Sequence, residues 1–176
     1  MRLLTKTNGQ LFYGWIVVTT SFVIFALIFG SRYCFGVFFK SIENEFDLTR
    51  MATSSIFSVY MALCPVFAMI GGRILDRYGP RLVVFSMGIF TGLSLLLTGQ
   101  ANSSWQLFLS YSVLLAIGTG PGYPVLMSTT SRWFDKKRGL ALGIASSGAG
   151  LGPVAIAPFA TYLIFNFDWR MAYIVV

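Results

Sequence analysis

The sequence predicts an all-α membrane protein, in which apolar helices are joined by short loops. Two features of the composition predict this fold class. Hydrophobic residues make up 56% of the 176 residues and charged residues only 11%, whereas soluble domains contain about 25% charged residues. Lys, Arg, Asp and Glu are also absent from four long segments, which are 7–31, 51–72, 82–131 and 139–167.

The length and pattern of these apolar segments favour helices over strands. A helix needs about 20 apolar residues to cross a bilayer core of about 30 Å, and each segment supplies that number. The strands of a membrane barrel would alternate apolar and polar residues, and the long apolar runs lack that alternation. The sequence therefore predicts a helical bundle.

We predict five complete spans and the start of a sixth. Segment 82–131 is too long for one helix, and its polar cluster at 100–104 divides it between the third and fourth spans. The eight residues of the sixth are far too few to cross, so we expect an N-terminal half whose C-terminal half is missing. In chain order the spans are 14–39, 51–71, 82–98, 105–127, 139–165 and the incomplete 169–176.

The loop charges predict the orientation. If the N-terminus is cytoplasmic, nine basic residues lie on the cytoplasmic side and three on the opposite side, which agrees with the positive-inside rule. All four Trp residues fall at predicted span ends, where aromatic belts form. We expect a multi-pass protein of the plasma (cytoplasmic) membrane. The nine are Arg2, Lys6, Arg73, Arg77, Arg81, Arg132, Lys136, Lys137 and Arg138, and the three are Lys40, Arg50 and Arg170.

Several classes of function are not favoured by the sequence. The net charge of +7 comes from basic residues in loops between apolar segments, which favours contact with the lipid bilayer over nucleic acid. The sequence contains no His, no nucleophile–base pair, no metal-ligand spacing and no phosphate-binding loop. We therefore expect neither enzyme activity nor a cofactor or metal.

No acidic residue lies inside a predicted span. Proton relays within membranes normally use Asp, Glu or His. Proton coupling would therefore need a group in the missing half, and anion exchange is the alternative. The six acidic residues, all in predicted loops, are Glu43, Glu45, Asp47, Asp76, Asp135 and Asp168.

The strongest local motif is GGRILDRYGPR at 71–81, in the predicted cytoplasmic link between spans two and three. Gly72 is predicted to let a neighbouring helix approach closely, and Gly79 before Pro80 predicts a tight turn. Asp76 is the one acid among three arginines, placed to pair or to cap a helix N-terminus. A basic turn alone would explain the arginines but not the spacing G-x-x-x-D-R-x-G-x-R.

This spacing resembles the loop motif of the major facilitator superfamily of secondary transporters. The resemblance implies a cytoplasmic latch against a helix of the second half, which would help to hold the outward-facing state. The residues assigned to the latch are Gly72, Asp76, Arg77, Gly79 and Arg81.

Three further blocks resemble monocarboxylate carriers and the related oxalate/formate antiporters. They are YGWIVV at 13–18, FGVFFK at 35–40 followed by Glu45 and Phe46, and SRWFDKKRGLALGI at 131–144. The resemblance implies secondary active transport of a small organic anion by alternating access. The alternatives are another small solute in the same superfamily, or a channel or membrane-embedded regulatory subunit. A channel would predict a ring of like charges, which the sequence lacks.

Arg32 is the one charged residue inside a predicted span. A charge there costs at least about 2.5–3.5 kcal/mol on insertion scales, so such a residue is a functional hypothesis. We expect Arg32 to bind a carboxylate, which a guanidinium can pair bidentately. Snorkelling to the interface and an internal ion pair remain alternatives. The resemblance aligns a substrate-facing lysine with Tyr33, about 100° round the helix, and both residues are expected to contact substrate.

Span five is rich in glycine and proline. Gly148 and Gly152 are predicted to pack against another helix, and Pro153 is predicted to kink the helix and free carbonyls for gating. Their spacing also resembles the antiporter motif of the superfamily, although Ile156 and Ala157 replace its closing Gly pair. Close packing and anion exchange both remain open.

Span four contains a similar cluster, GTGPGYP at 118–124. It is predicted to break the helix on the side that faces the cavity. Within it, Tyr123 is expected to contact the substrate.

Overall fold

A computed structural model of the chain describes residues 13–134, 137–166 and 169–175. These residues form helices and no strands. The elements are α1 (Tyr13–Glu45), α2 (Arg50–Tyr78), α3 (Pro80–Gly99), α4 (Ser104–Phe108), a π-helix (Leu109–Leu114), α5 (Leu115–Thr119), α6 (Gly122–Ser131), α7 (Arg138–Asn166) and α8 (Trp169–Val175).

Four helices of the described residues, α1, α2, α3 and α7, are long and apolar enough to cross a membrane. The predicted all-α class is therefore confirmed, and these helices contain four of the predicted spans. The predicted span 105–127 is different, because the π-helix and the Gly120–Pro121 turn divide it into shorter pieces. The count of five complete spans consequently stays a prediction. The short helix α8 lies where the start of a sixth span was expected.

Two helices run further than the predicted spans. α1 continues to Glu45 and α2 continues to Tyr78, so Glu45 and Asp76 are helical rather than loop residues. The sequence prediction ended these two spans just before the charged residues Lys40 and Arg73, but Glu, Lys and Arg are themselves good helix formers. Gly79 ends α2 with a φ of 84° and Pro80 begins α3 directly. The link between these two helices is therefore a single residue.

The bundle has two ends, which we name after one residue each. At the Glu45 end, the C-terminus of α1 meets the N-terminus of α8 through Glu45 and Arg170. At the Gly79 end, the C-terminus of α2 meets Arg132, which follows α6, and the ring of Tyr13 packs at a tilt against that of Trp133, with centroids 5.1 Å apart. The predicted orientation makes the Gly79 end cytoplasmic.

Glycines allow α1 and α7 to pack along much of their length. A Cβ atom at Gly148 would overlap the carbonyl oxygen of Phe22, and one at Gly152 would overlap that of Ala26. In the opposite direction, a Cβ atom at Gly30 of α1 would overlap the side chain of Ile156. The backbones therefore approach as small residues permit in membrane helix pairs. α7 is continuous through Pro153 and Pro158.

The core is aromatic between the middle of the bundle and its Glu45 end. The ring of Tyr111 lies 4.6 Å from that of Phe35 and 5.7 Å from that of Tyr60. Phe38 stacks on Tyr173 at 4.0 Å. All five side chains are buried. This aromatic cluster forms one wall of the environment of Arg32.

Candidate functional site

The guanidinium of Arg32 is surrounded by aromatic rings. Its central carbon lies 5.6 Å from the ring centroid of Phe29, 5.7 Å from that of Tyr33 and 5.6 Å from that of Tyr60. One terminal nitrogen, Nη2, donates to the sulfur of Met61. Each cation–π contact contributes about 0.5–2 kcal/mol, depending on how far it is desolvated. Neutral groups of α1 and α2 therefore hold the cation.

Arg32 has no carboxylate partner within the described part of the chain. Its Nε atom is also buried without a hydrogen-bond acceptor there. A buried donor without a partner is costly, and for a charged group the cost is higher. The guanidinium can therefore still accept an anion, either a ligand or a carboxylate outside the described residues.

Two tyrosines that the sequence analysis did not select also contact Arg32 or its surroundings. The Tyr111 hydroxyl donates to the backbone carbonyl of Arg32 over 3.1 Å. The Tyr60 hydroxyl lies 2.8 Å from Oγ1 of Thr119, which itself donates to the carbonyl of Leu115. Because a hydroxyl has one proton, Tyr60 is the donor in its pair with Thr119. The only indication of these two residues in the sequence was weak, since each is a tyrosine that places a polar hydroxyl within an apolar span.

The three predicted substrate contacts do not form one cluster. Tyr33 lies beside Arg32, and its ring is 49% exposed. Tyr123 is also exposed, but its ring packs edge-on against Phe25 at 5.8 Å. Phe25 precedes Arg32 by seven residues, which is about 10 Å along the helix axis. Arg32 and Tyr33 are therefore adjacent, and Tyr123 lies deeper towards the Gly79 end.

A cavity of about 350 Å³ lies next to Tyr33, between α1 and α2. Aromatic rings and serine hydroxyls line it, and a Cβ atom at Gly36 would meet nothing within 4 Å. The cavity extends from the neighbourhood of Arg32 towards the Glu45 end. Its other lining residues are Phe35, Phe39, Ser54, Phe57 and Ser58.

The structure of the GGRILDRYGPR motif differs from the sequence prediction in two respects. A Cβ atom at Gly71 would overlap the ring of Pro121, whereas one at Gly72 would meet nothing within 4 Å. Within the described residues the close helix approach is therefore at Gly71 and not at Gly72, because consecutive residues differ by 100° around a helix. Asp76 caps no helix, since Gly79 precedes α3 without a side-chain cap.

Asp76 pairs with Arg132 and not with the arginines of its own motif. Its Oδ1 lies 3.9 Å from Nη2 of Arg132, and both side chains are exposed. This pair joins the motif to the block at 131–144. Asp135 and Lys136 of that block lie outside the described residues, as do Arg2, Lys6 and Asp168. Among the residues described, the arginines without an ion pair at this end include Arg73, Arg77 and Arg81.

Span four is irregular where it faces α2. Gly120 and Pro121 separate α5 from α6, although both keep right-handed helical backbone angles. A Cβ atom at Gly120 would lie 2.8 Å from the carbonyl oxygen of Cys64. The interruption therefore allows span four to pack closely against α2.

Comparison with known proteins agrees with this architecture. Residues 21–176 match the family model described as Major Facilitator Superfamily. The chain is 34% identical to monocarboxylate transporter 13 of Bos taurus over 164 residues, which are 93% of this chain and 38% of the relative. The rat protein of that name is 35% identical with the same coverage.

Human monocarboxylate transporter 11 is 28% identical over 160 residues, 91% of this chain and 34% of that protein. The chain thus spans less than two fifths of the length of these relatives. The resemblance that the motifs predicted is confirmed. With apolar helices long enough for a membrane and a family model that matches from residue 21 onwards, this chain belongs to the Major Facilitator Superfamily.

Proposed function

We propose that the full-length protein is a secondary active transporter of a small organic anion, of the monocarboxylate or oxalate/formate type, that works by alternating access. The observation that carries the proposal is the guanidinium of Arg32, held by rings and a thioether without a carboxylate partner in the described chain. A fixed cation with free donors in a low-dielectric site attracts an anion strongly. The relatives are named monocarboxylate transporters, which supports the same class of substrate.

Arg32 and Tyr33 would contact the carboxylate, and Tyr123 would contact the substrate at another depth of the path. Gly148 and Gly152 keep α7 against α1. Pro153 has no backbone N–H, so one hydrogen bond of the continuous helix α7 is missing in the same region. This interruption offers a point at which α7 can bend during gating. Gly72, Asp76, Arg77, Gly79 and Arg81 would act as the latch, with the rest of the protein as partner.

The proposed orientation has the Gly79 end in the cytoplasm and the protein in the plasma membrane. Arg73, Arg77 and Arg81 lie at that end together with Arg132. Basic residues favour the cytoplasmic side because of the positive-inside rule. Labelling of single cysteines at positions 73 and 50 with a membrane-impermeant reagent tests the orientation, and we expect labelling from outside at position 50 only.

The test of the substrate class uses full-length protein in proteoliposomes. Uptake of labelled lactate, pyruvate, oxalate and formate is measured for wild type and for Arg32→Gln, which removes the charge and keeps much of the length. Arg50→Gln is the matched control, because Arg50 also carries one charge but its side chain is 88% exposed and pairs weakly with Glu43. We expect saturable uptake of at least one anion, loss of uptake in Arg32→Gln, and no change in Arg50→Gln.

Two results would contradict the proposal. If none of the four anions enters the vesicles, the substrate class is wrong. If Arg32→Gln transports as wild type does, Arg32 has a structural or snorkelling role.

The mode of coupling is tested in the same vesicles. An inward proton gradient accelerates uptake by a proton symporter, whereas preloading with unlabelled anion accelerates uptake by an exchanger. The described spans contain no acid near Arg32, so a symporter would need its proton-binding group elsewhere in the full-length protein.

A further inference from the structure

Two buried tyrosines contact Arg32, one at its backbone and the other at its side chain. Tyr111 donates to its backbone carbonyl over 3.1 Å, and the ring of Tyr60 lies 5.6 Å from its guanidinium carbon. Neither tyrosine has any solvent exposure. Because both side chains are neutral, they can orient Arg32 without compensating its charge.

Span four controls both tyrosines. Tyr111 belongs to the π-helix Leu109–Leu114. Tyr60 belongs to α2, but its hydroxyl is bound by Thr119, the last residue of α5. One span therefore sets the position of the Arg32 backbone and of the ring beneath its side chain.

The π-helix is anchored by buried hydroxyl groups. Ser94 donates to the carbonyl of Ser110 over 2.7 Å, and Thr98 donates to the hydroxyl of Ser110 over 3.0 Å. Ser112 of the π-helix donates to the carbonyl of Ile56 in α2 over 2.8 Å. A π-helix has wider turns than an α-helix and is frequently found at functional sites. These bonds to α2 and α3 fix the direction in which Tyr111 points.

We propose that Tyr60 and Tyr111 are positioning residues of the anion site, through which span four orients Arg32 for the substrate carboxylate. The inference rests on the proposed function, since it takes Arg32 to be the anion-binding group. A long side chain without an ionic partner in the described chain would otherwise sample several rotamers, and ordering it on binding would weaken affinity. The ring of Tyr60 limits these rotamers before the anion arrives, and Thr119 of span four holds that ring through its hydroxyl.

The test compares Tyr60→Phe and Tyr111→Phe in full-length protein in proteoliposomes, with the amount of inserted protein measured for each. Both changes remove one hydroxyl and keep the ring. We expect the KM for the transported anion to rise about three- to tenfold, the effect of losing one hydrogen bond, with Vmax within about twofold. Tyr173→Phe is the control, because Tyr173 is equally buried and its hydroxyl has no partner in the described chain.

Thr119→Val separates positioning from direct contact. Thr119 binds the Tyr60 hydroxyl and the carbonyl of Leu115, and within the described residues it makes no hydrogen bond to Arg32. We expect Thr119→Val to raise KM as Tyr60→Phe does, and the double variant to add little, because both changes remove the same interaction. If the increases in KM of the two single variants add up in the double variant, Thr119 does not act on Arg32 through Tyr60, and this part of the inference is wrong.

The outcomes distinguish this inference from the proposed function. If Arg32→Gln abolishes uptake while both tyrosine variants keep the wild-type KM, the positioning role is wrong and the anion site stands. It is equally wrong if Tyr173→Phe raises KM as much, because loss of packing then explains the effect. Unchanged uptake in Arg32→Gln would instead reject the proposed function itself.

Discussion

The two ends of the bundle are held together in different ways. At the Glu45 end, Oε1 of Glu45 accepts from Nη2 and Nε of Arg170 at 2.8 and 3.2 Å, and Oε2 accepts from the indole of Trp169. Arg170 also donates to Asn102 over 3.0 Å, so α1, α8 and the link before α4 are joined. At the Gly79 end the described residues form one ion pair, Asp76 with Arg132 at 3.9 Å, and both side chains are exposed.

The charges at the two ends therefore differ in what they contribute. Those at the Glu45 end stabilise the fold, whereas those at the Gly79 end contribute little to its stability. Short charge-assisted hydrogen bonds are roughly twice as strong as neutral ones, whereas exposed ion pairs contribute about 0–1 kcal/mol. At the Gly79 end, the one-residue turn at Gly79 joins α2 directly to α3, and the ring contact of Tyr13 with Trp133 adds to it. Arg73, Arg77 and Arg81 make no ion pair within the described residues, and the proposed latch would use Arg77 and Arg81 with a partner elsewhere in the protein.

The largest effect is expected from Gly79→Ala. The φ of 84° and ψ of 171° at Gly79 lie in a region that is essentially limited to glycine, and strain there costs about 1–3 kcal/mol. We expect a loss of this size in the free energy of unfolding, measured by thermal unfolding of the full-length protein in detergent. Gly88→Ala is the control, because Gly88 is helical and its added Cβ atom meets nothing within 4 Å.

Gly88→Ala should be neutral or stabilising by about 0.5–1 kcal/mol, since glycine is a poor helix former. If Gly79→Ala unfolds with the same midpoint as Gly88→Ala, the turn is not what holds the Gly79 end. The backbone at Gly79 would then not stabilise this end of the bundle, and the difference drawn between the two ends would be wrong.

A smaller effect is expected from Glu45→Gln. The change removes the charge that Arg170 and Trp169 share and keeps the size of the side chain. Because the Glu45 side chain is 38% exposed, screening limits the loss to about 1 kcal/mol. The same unfolding measurement checks this value.

Glu43→Gln is the matched control for this second prediction. Its pair with Arg50 is longer, 3.7 Å, and the Arg50 side chain is 88% exposed. We expect a loss below about 0.5 kcal/mol. Equal losses in the two variants would mean that the Glu45 contacts contribute no more than a surface pair.

Sequence predicted those features that depend on composition and local spacing. Long apolar segments predicted the helical class, the glycine spacing predicted close packing in α7, and a charge in an apolar span selected Arg32. Helix ends were missed, because the first span was ended before the charge of Lys40, whereas α1 continues to Glu45.

Contacts between distant segments were beyond the sequence. Tyr60 meets Thr119 and Tyr111 meets Arg32 across 59 and 79 residues, and no local pattern specifies such pairs. The π-helix depends on a hydroxyl of α3 that donates to it and on a carbonyl of α2 that accepts from it, and so required the tertiary structure. The assignment of close approach to Gly72 instead of Gly71 has the same cause, since spacing does not give the rotation of a helix.

The smallest effect on stability is expected from Asp76→Asn. The pair with Arg132 is long and exposed, so we expect the free energy of unfolding to fall by less than about 0.5 kcal/mol. Arg132→Gln should give the same small loss, because it removes the same pair. The proposed latch makes a separate prediction, that Asp76→Asn slows uptake in proteoliposomes by more than Arg132→Gln does, since only Asp76 belongs to the motif.

A loss in stability as large as that of Glu45→Gln would contradict the difference between the two ends. If stability is kept and uptake falls equally in both variants, the pair itself matters for transport and the latch needs no partner beyond it. If stability is kept and uptake falls in Asp76→Asn alone, Asp76 acts on a part of the protein other than Arg132. In that case the weak pairing at the Gly79 end is what allows this carboxylate to change partners during the transport cycle.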